Sequence, residues 1–254
     1  MTTALVTGAS SGIGAATARA LSAAGHVVIA AARRLEALEE LCASLDGPAL
    51  AVAMDVTDPA SVTRGLEEAR PFAEAHGGIS WLVNNAGAAE SAPVGKTDDA
   101  LTERMLEVNF HGARRLTEAL APVMVEAGGG AVVNVASSAG LHGYAYVTAY
   151  CAAKHALVGY SRAAAAELGE KGVRISLVCP HYVDTPMTDA SAQRLAEKTG
   201  KSEEELRAFF ASQNPGGRLV TAGEVAGTIL ELLSEGESGS LVELDGSGDL
   251  PGGE

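Results

Sequence analysis

Eight consecutive residues, Thr7-Gly8-Ala9-Ser10-Ser11-Gly12-Ile13-Gly14, restrict this chain more than any other stretch. The apolar run Ala4-Leu5-Val6 precedes them and an alanine-rich helical pattern follows to about Ala24, so they turn a strand into a helix. Glycine has no Cβ, and such a turn leaves backbone N–H groups and the helix N-terminus open to a phosphate. Glycine spacing alone is a weak signal, because a loop of this kind can stand without a ligand. At the first strand-to-helix junction of a chain it points to a dinucleotide, held along Gly8, Ser10, Ser11, Gly12, Ile13 and Gly14.

The alternation continues. Val27 to Ala31, Leu50 to Met54, Ile79 to Val83, Ala131 to Ala136, Val173 to Cys179 and Ser240 to Leu244 read as further buried strands, with helical patterns between them. This predicts an α/β chain, a doubly wound parallel sheet of about seven strands with helices on both faces. Ligands of such sheets bind at the C-terminal strand ends, where the polar residues of this chain collect. The second strand ends in Ala32-Arg33-Arg34, where an NAD site would carry a ribose-binding acid. Two guanidiniums without a carboxylate favour a 2′-phosphate, hence NADP(H), over NAD(H); the alternative is that they open a solvated helix to Ser44. The third strand ends in Asp55-Val56, where Asp55 suits an adenine amino group or a cap for the helix beginning near Pro59. The fourth closes in Asn84-Asn85-Ala86-Gly87, suited to the adenosine side. A helical pattern from Thr97 to about Ala127 carries Asn109 in its interior, where a buried amide can loosen the backbone and hold a water.

The fifth strand runs into Ser137-Ser138-Ala139-Gly140, and the next helix carries Tyr150 and Lys154, four apart and so on one face. An ammonium beside a phenol favours the phenolate and brings its pKa toward neutrality, which makes an acid-base pair. The other face of that helix is rich in Ala and Gly and suits either the core or a second subunit. After the sixth strand comes Pro180-His181-Tyr182-Val183-Asp184-Thr185-Pro186-Met187, and the segment at about 181–217, with Phe209-Phe210, has the length of a lid over a substrate pocket. A last helix spans Thr221 to Leu233, and the tail from Asp245 to Glu254 lacks periodicity.

The composition suits one globular domain over residues 1–254, with 4% aromatics and no Pro- or Ser-rich linker in the first two hundred positions. A formal charge of −14 argues against nucleic acid or an anionic membrane as partner. Without an eighteen-residue apolar run or a basic leader the chain reads as cytoplasmic. Cys42, Cys151 and Cys179 are odd in number and lack Cys-x-x-Cys spacing, which suggests neither a disulfide framework nor a metal site.

Taken together and in this order, the motifs from Thr3 to about Gly246 resemble the short-chain dehydrogenase/reductase family, of the compact single-domain, Rossmann-like type. The resemblance implies an oxidoreductase in which Asn109, Ser137, Tyr150 and Lys154 are catalytic. Tyr150 would give a proton to a carbonyl oxygen as hydride arrives, and Ser137 would bind the developing alkoxide. Lys154 would hold the nicotinamide ribose, and Asn109 would place a water beside it. Ser137, three residues after Asn134 and three before Gly140, matches the family serine, with Ser138 as the alternative. Tyr144 and Tyr146 lack a lysine four residues on. Thr185 resembles the residue that contacts the carboxamide, beside Pro180 and the Val183 backbone, while Val56, Asn85, Ala86 and Gly87 line the adenosine end.

The family usually has Pro-Gly at Pro180-His181, so either the backbone adapts or the imidazole enters the pocket. His142, Tyr144, His181, Tyr182 and Met187 are candidate substrate contacts. The implied substrates are a small ketone or secondary alcohol, or a 3-oxoacyl thioester. Coenzyme A thioesters rank above carrier-protein ones, because Glu126-Ala127-Gly128-Gly129-Gly130, read as lying near the pocket rim, offers an acidic carrier no basic ground. The reading from another class is a nucleotide-binding regulator without turnover. A homo-oligomer, dimer or tetramer, is implied by resemblance.

Overall fold

In the computed structural model, which describes residues 1–248, the apolar runs pair as one parallel sheet; the last six residues of the glycine-rich tail lie outside the described residues. In chain order the elements are β1 (Thr3–Thr7), α1 (Gly12–Ala23), β2 (Val27–Ala32), α2 (Leu35–Ala43), β3 (Ala49–Ala53), α3 (Pro59–Ala75) and β4 (Ile79–Asn84). Then come α4 (Asp99–Leu106), α5 (Gly112–Glu126), β5 (Gly130–Val135), α6 (Thr148–Gly169), β6 (Val173–Pro180), β7 (Val183–Asp184), α7 (Pro186–Thr199) and α8 (Glu203–Gln213). The described chain ends with β8 (Val220–Thr221), α9 (Ala222–Ser234) and β9 (Leu241–Leu244).

The strand order β3-β2-β1-β4-β5-β6-β9 reverses direction between β1 and β4, which opens a crevice at their C-terminal ends. Side chains alternate across each strand. Ala4 and Val6 of β1 therefore face a core shared with Ala18, Leu21, Val225 and Ile229 of α1 and α9, while Leu5 faces Val62, Leu116, Leu120 and Ala165 of α3, α5 and α6. Each buried Leu, Ile or Val contributes about 1.5–3 kcal/mol, and a sheet covered on both faces is apolar on both, which is why these strands read as unbroken apolar runs.

Three expectations need correction. The helical pattern from Thr97 to Ala127 is not one helix: Glu107–His111 is a π turn that separates α4 from α5. Asn109 is its centre, donating its amide to Met105 O at 3.0 Å and Ala88 O at 2.9 Å, so the loosened backbone has a side-chain cause. Asp55 does not cap α3; Asp58 does, accepting from the Ala60 N–H at 2.9 Å. Glu126 to Gly130 is not at the pocket rim. Gly130 starts β5 and its N–H donates to Gly172 O, at the N-terminal edge of the sheet, so this segment says nothing about a carrier protein.

Candidate active site

The turn after β1 is built by three glycines with three different reasons. Gly8 and Gly12 hold φ of 64° and 55°, conformations that L side chains rarely adopt. A Cβ on Gly8 would also lie 2.8 Å from Asn85 Nδ2 and 2.9 Å from Ala86 Cα, and one on Gly14 would overlap Gly8 O and lie 2.6 Å from Asn85 Nδ2. Across the cleft the Thr185 methyl would stand 3.3 Å from a Cβ on Gly12. The cradle therefore fits a group that needs close backbone approach, as a pyrophosphate does. Asn85 holds the cradle rather than facing it, donating Nδ2 to Thr7 O at 2.9 Å, while its N–H and that of Ala86 donate to Thr7 Oγ1. Asn84 joins a buried amide chain, donating to Asn134 Oδ1 at 2.8 Å; Asn134 in turn donates to Ser161 Oγ at 2.8 Å.

The two arginines after β2 diverge. Arg34 Nη2 donates to Ser10 Oγ at 3.1 Å and to Ser11 Oγ at 3.2 Å, gathering one cation and two hydroxyls at the mouth of the turn. Arg33 acts on Asp55. Burial raises the Asp55 pKa, but hydrogen bonds from the Thr57 hydroxyl and N–H together with the Arg33 charge outweigh it, so the carboxyl titrates below its ordinary value. Asp55 accepts those bonds at 2.7 and 2.9 Å, and Val56 fills the space that the missing Cβ of Gly112 leaves on α5.

At the ends of β5 and β6 the structure brings together Ser137, Tyr150 and Lys154. Lys154 is 4% exposed and donates Nζ to Val135 O at 2.9 Å, and Nζ lies 5.7 Å from the centre of the Tyr150 ring. Ser137, the cap of the turn Ser138–Gly140, accepts from the Ala139 N–H at 3.1 Å, and its hydroxyl donates to Pro180 O at 3.5 Å. Its partner in the pair, Ser138, is buried and accepts the Tyr144 hydroxyl at 3.0 Å, which leaves Ser137 facing the phenol. Here the structure reverses an expectation. Burial pushes the Tyr150 phenol up to about 12, against the pull of the Ser137 hydroxyl, and it pushes Lys154 down to about 8. Desolvation by burial is the largest cause for both groups. Asn109 abuts this cluster through Gly87, where a Cβ would lie 2.8 Å from Asn109 Oδ1 and 3.8 Å from Lys154 Nζ. Its side chain is fully engaged with Ala88 and Met105, so the amide itself has no donor left for a water.

Residues 2–196 match the family model described as short chain dehydrogenase. The chain belongs to that family. It is an oxidoreductase of alcohol and ketone groups. A cis-4-hydroxycyclohexanecarboxylate dehydrogenase from Sinomonas cyclohexanicum is 35% identical, over 96% of this chain and 94% of that protein. The solved L-sorbose reductase from Gluconobacter frateurii, complexed with NADPH and L-sorbose, superposes with a TM-score of 0.88 at 29% identity, covering 96% of this chain and 95% of that one. A variant of actinorhodin polyketide ketoreductase with NADPH gives 0.85 at 30% identity, covering 98% and 97%.

The remaining candidate substrate contacts of this short-chain dehydrogenase stand mostly in the segment after β6. Tyr182 stacks on Phe210 of α8, centroids 4.7 Å apart and planes at 16°, and its backbone is held by Asn214, which exchanges bonds with Tyr182 N and O at 3.0 and 2.9 Å. Met187, 42% exposed, opens α7. Arg194 of α7 reaches across to Ala89 O at 3.1 Å, so α7 touches the loop after β4. His181 does not extend freely: its Nε2 lies 2.7 Å from Glu243 Oε1 on β9, with the side chain 8% exposed, and His142 Nε2 lies 3.5 Å from the same oxygen. Asn214, Arg194 and Glu243 carried no signal in the sequence, since each is an ordinary polar residue whose partner is remote in the chain. Among the described residues no helix is long and apolar enough to cross a membrane, and no group of three or more His, Cys, Asp or Glu is arranged to hold a metal.

Proposed function

We propose that this protein is an NADP(H)-dependent carbonyl reductase that also runs as a secondary-alcohol dehydrogenase, with Tyr150 as the group that gives and takes the proton. The observation that carries the reading is the meeting of the Tyr150 phenol, the Ser137 hydroxyl and the Lys154 ammonium in desolvated ground beside the glycine cradle. A bound nicotinamide supplies the hydride. Ser137 hydrogen-bonds the oxygen on which negative charge grows, and Tyr150 hands that oxygen its proton. A phenol held near 12 remains fully protonated at neutral pH, and an alkoxide is far more basic than a phenolate, so the transfer runs downhill in reduction. Lys154, held between β5 and the phenol, stabilises the phenolate that is left. The cluster of Arg34 with the Ser10 and Ser11 hydroxyls, and the lack of a carboxylate at Ala32, support NADP(H) over NAD(H). The solvent-facing stripe Ala152, His155, Gly159, Ala163 and Ala166 on α6 supports assembly with a second copy of the chain.

The test follows NADPH absorbance with a panel of ketones, polyol ketones and acetoacetyl thioesters. Tyr150→Phe should lower kcat by about a hundredfold or more while NADPH still binds. Turnover that survives the substitution removes the assigned acid.

A further inference from the structure

His181 pairs with Glu243 and so joins two elements that the sequence separates by 62 positions. An ionised carboxylate only accepts, so the imidazole donates its Nε2–H to Glu243 Oε1. The His181 N–H donates to Leu244 O at 2.9 Å, and Pro180 lies in register with Leu244, so ring and backbone fasten the end of β6 to β9 together. Two further contacts lead from this fastening to the site. Pro180 O receives the Ser137 hydroxyl at 3.5 Å. His142, two residues past the Ser138–Gly140 turn, sets its Nε2 3.5 Å from the same Glu243 oxygen. Both loops that border Ser137 thus converge on one carboxylate of β9.

We propose that His181 and Glu243 are positioning residues that hold the Pro180 carbonyl, and with it the Ser137 Oγ, in place relative to the Tyr150 phenol, the single hydroxyl proton turning from Pro180 O to the substrate oxygen as charge develops. The inference rests on the carbonyl-reductase reading above. Ser137 meets charge that exists only in the transition state, so a displaced hydroxyl lowers kcat and leaves KM nearly unchanged. A ring that contacted substrate would instead raise KM.

The experiment measures kcat and KM for NADPH and for a ketone from the panel in wild type, His181→Ala, His181→Gln, Glu243→Ala and Ser137→Ala, and in the pair His181→Ala with Ser137→Ala. His181→Ala should lose about tenfold to a hundredfold in kcat with both KM values within about twofold. His181→Gln, which keeps a donor toward Glu243, should recover to within about threefold of wild type. In the Ser137→Ala background the His181 substitution should do almost nothing more, since residues acting through one group are not additive. Should His181→Ala fail to fold, Glu243→Ala, which removes the acceptor, takes its place and should lower kcat with both KM values within about twofold. A kcat within twofold of wild type in His181→Ala, a loss repeated in full without the Ser137 hydroxyl, or a rise confined to KM each overturns the proposal. A wild-type protein that turns over no ketone removes the reading of the reaction and this inference with it, an outcome distinct from active wild type with indifferent variants.

Discussion

Single residues decide which cofactor is chosen and how the site responds to pH. Of the two neighbouring arginines only Arg34 reaches the glycine turn, where it meets Ser10 and Ser11, while Arg33 is engaged electrostatically with Asp55. Arg34→Ala should therefore raise KM for NADPH by about tenfold or more and leave the NADH value nearly unchanged; steady-state kinetics with both cofactors checks this, and an equal effect on the two would contradict the assignment. Lys154 yields a prediction about stability. Burial lowers its pKa from 10.5 to about 8, so between those values the unfolded chain binds a proton that the folded chain lacks, and stability rises with pH across that window. The phenol acts with opposite sign above pH 10, its pKa being raised from 10.0 to about 12. Relative to Lys154→Met, the wild-type thermal midpoint should climb from pH 8 to pH 10 by a few degrees, and a flat difference in calorimetry would show that the ammonium is not desolvated.

Elements differ in how openly the sequence declares them. Val27–Ala32 and Val173–Pro180 were legible because a parallel strand covered on both faces has no polar alternation to hide it. The common helix of Tyr150 and Lys154 was legible from their spacing, while the roles expected of them came from the family resemblance. The break at Glu107–His111 was only half legible, since Asn109 announced a loosened backbone but not a π turn. The roles of Asn85, which stitches the β4 turn to Thr7, and of Glu243 were hidden altogether, because strand pairing and not spacing brings their partners near. The segment from α7 to α8 follows the same rule. Arg207 of α8 binds Asp184 at the end of β7 and Asp189 of α7, holding the two helices to the ribbon beside them. Arg207→Ala should accelerate proteolytic cleavage within residues 186–213 and raise the substrate KM several-fold, with NADPH affinity unchanged. Cleavage at the wild-type rate would show that the packing of Ala192, Leu206 and Phe210 suffices.

At the scale of the molecule, assembly and the order of folding come into view. An added Cβ at Gly159 meets nothing within 4 Å, and Ala163, one turn further along α6, is also small and exposed. Gly159→Trp should leave the single chain intact yet shift its sedimentation toward a smaller species, whereas an unchanged profile would place any subunit contact elsewhere. The pairing of β9 with β6 has a temporal meaning. Ser137, Tyr150 and Pro180 all precede Leu241 in the chain, so a ribosome releases the whole reacting cluster before it has made the strand that braces the Pro180 end. A nascent chain can thus assemble the glycine turn early, whereas the Pro180 end gains its brace only once β9 has been made.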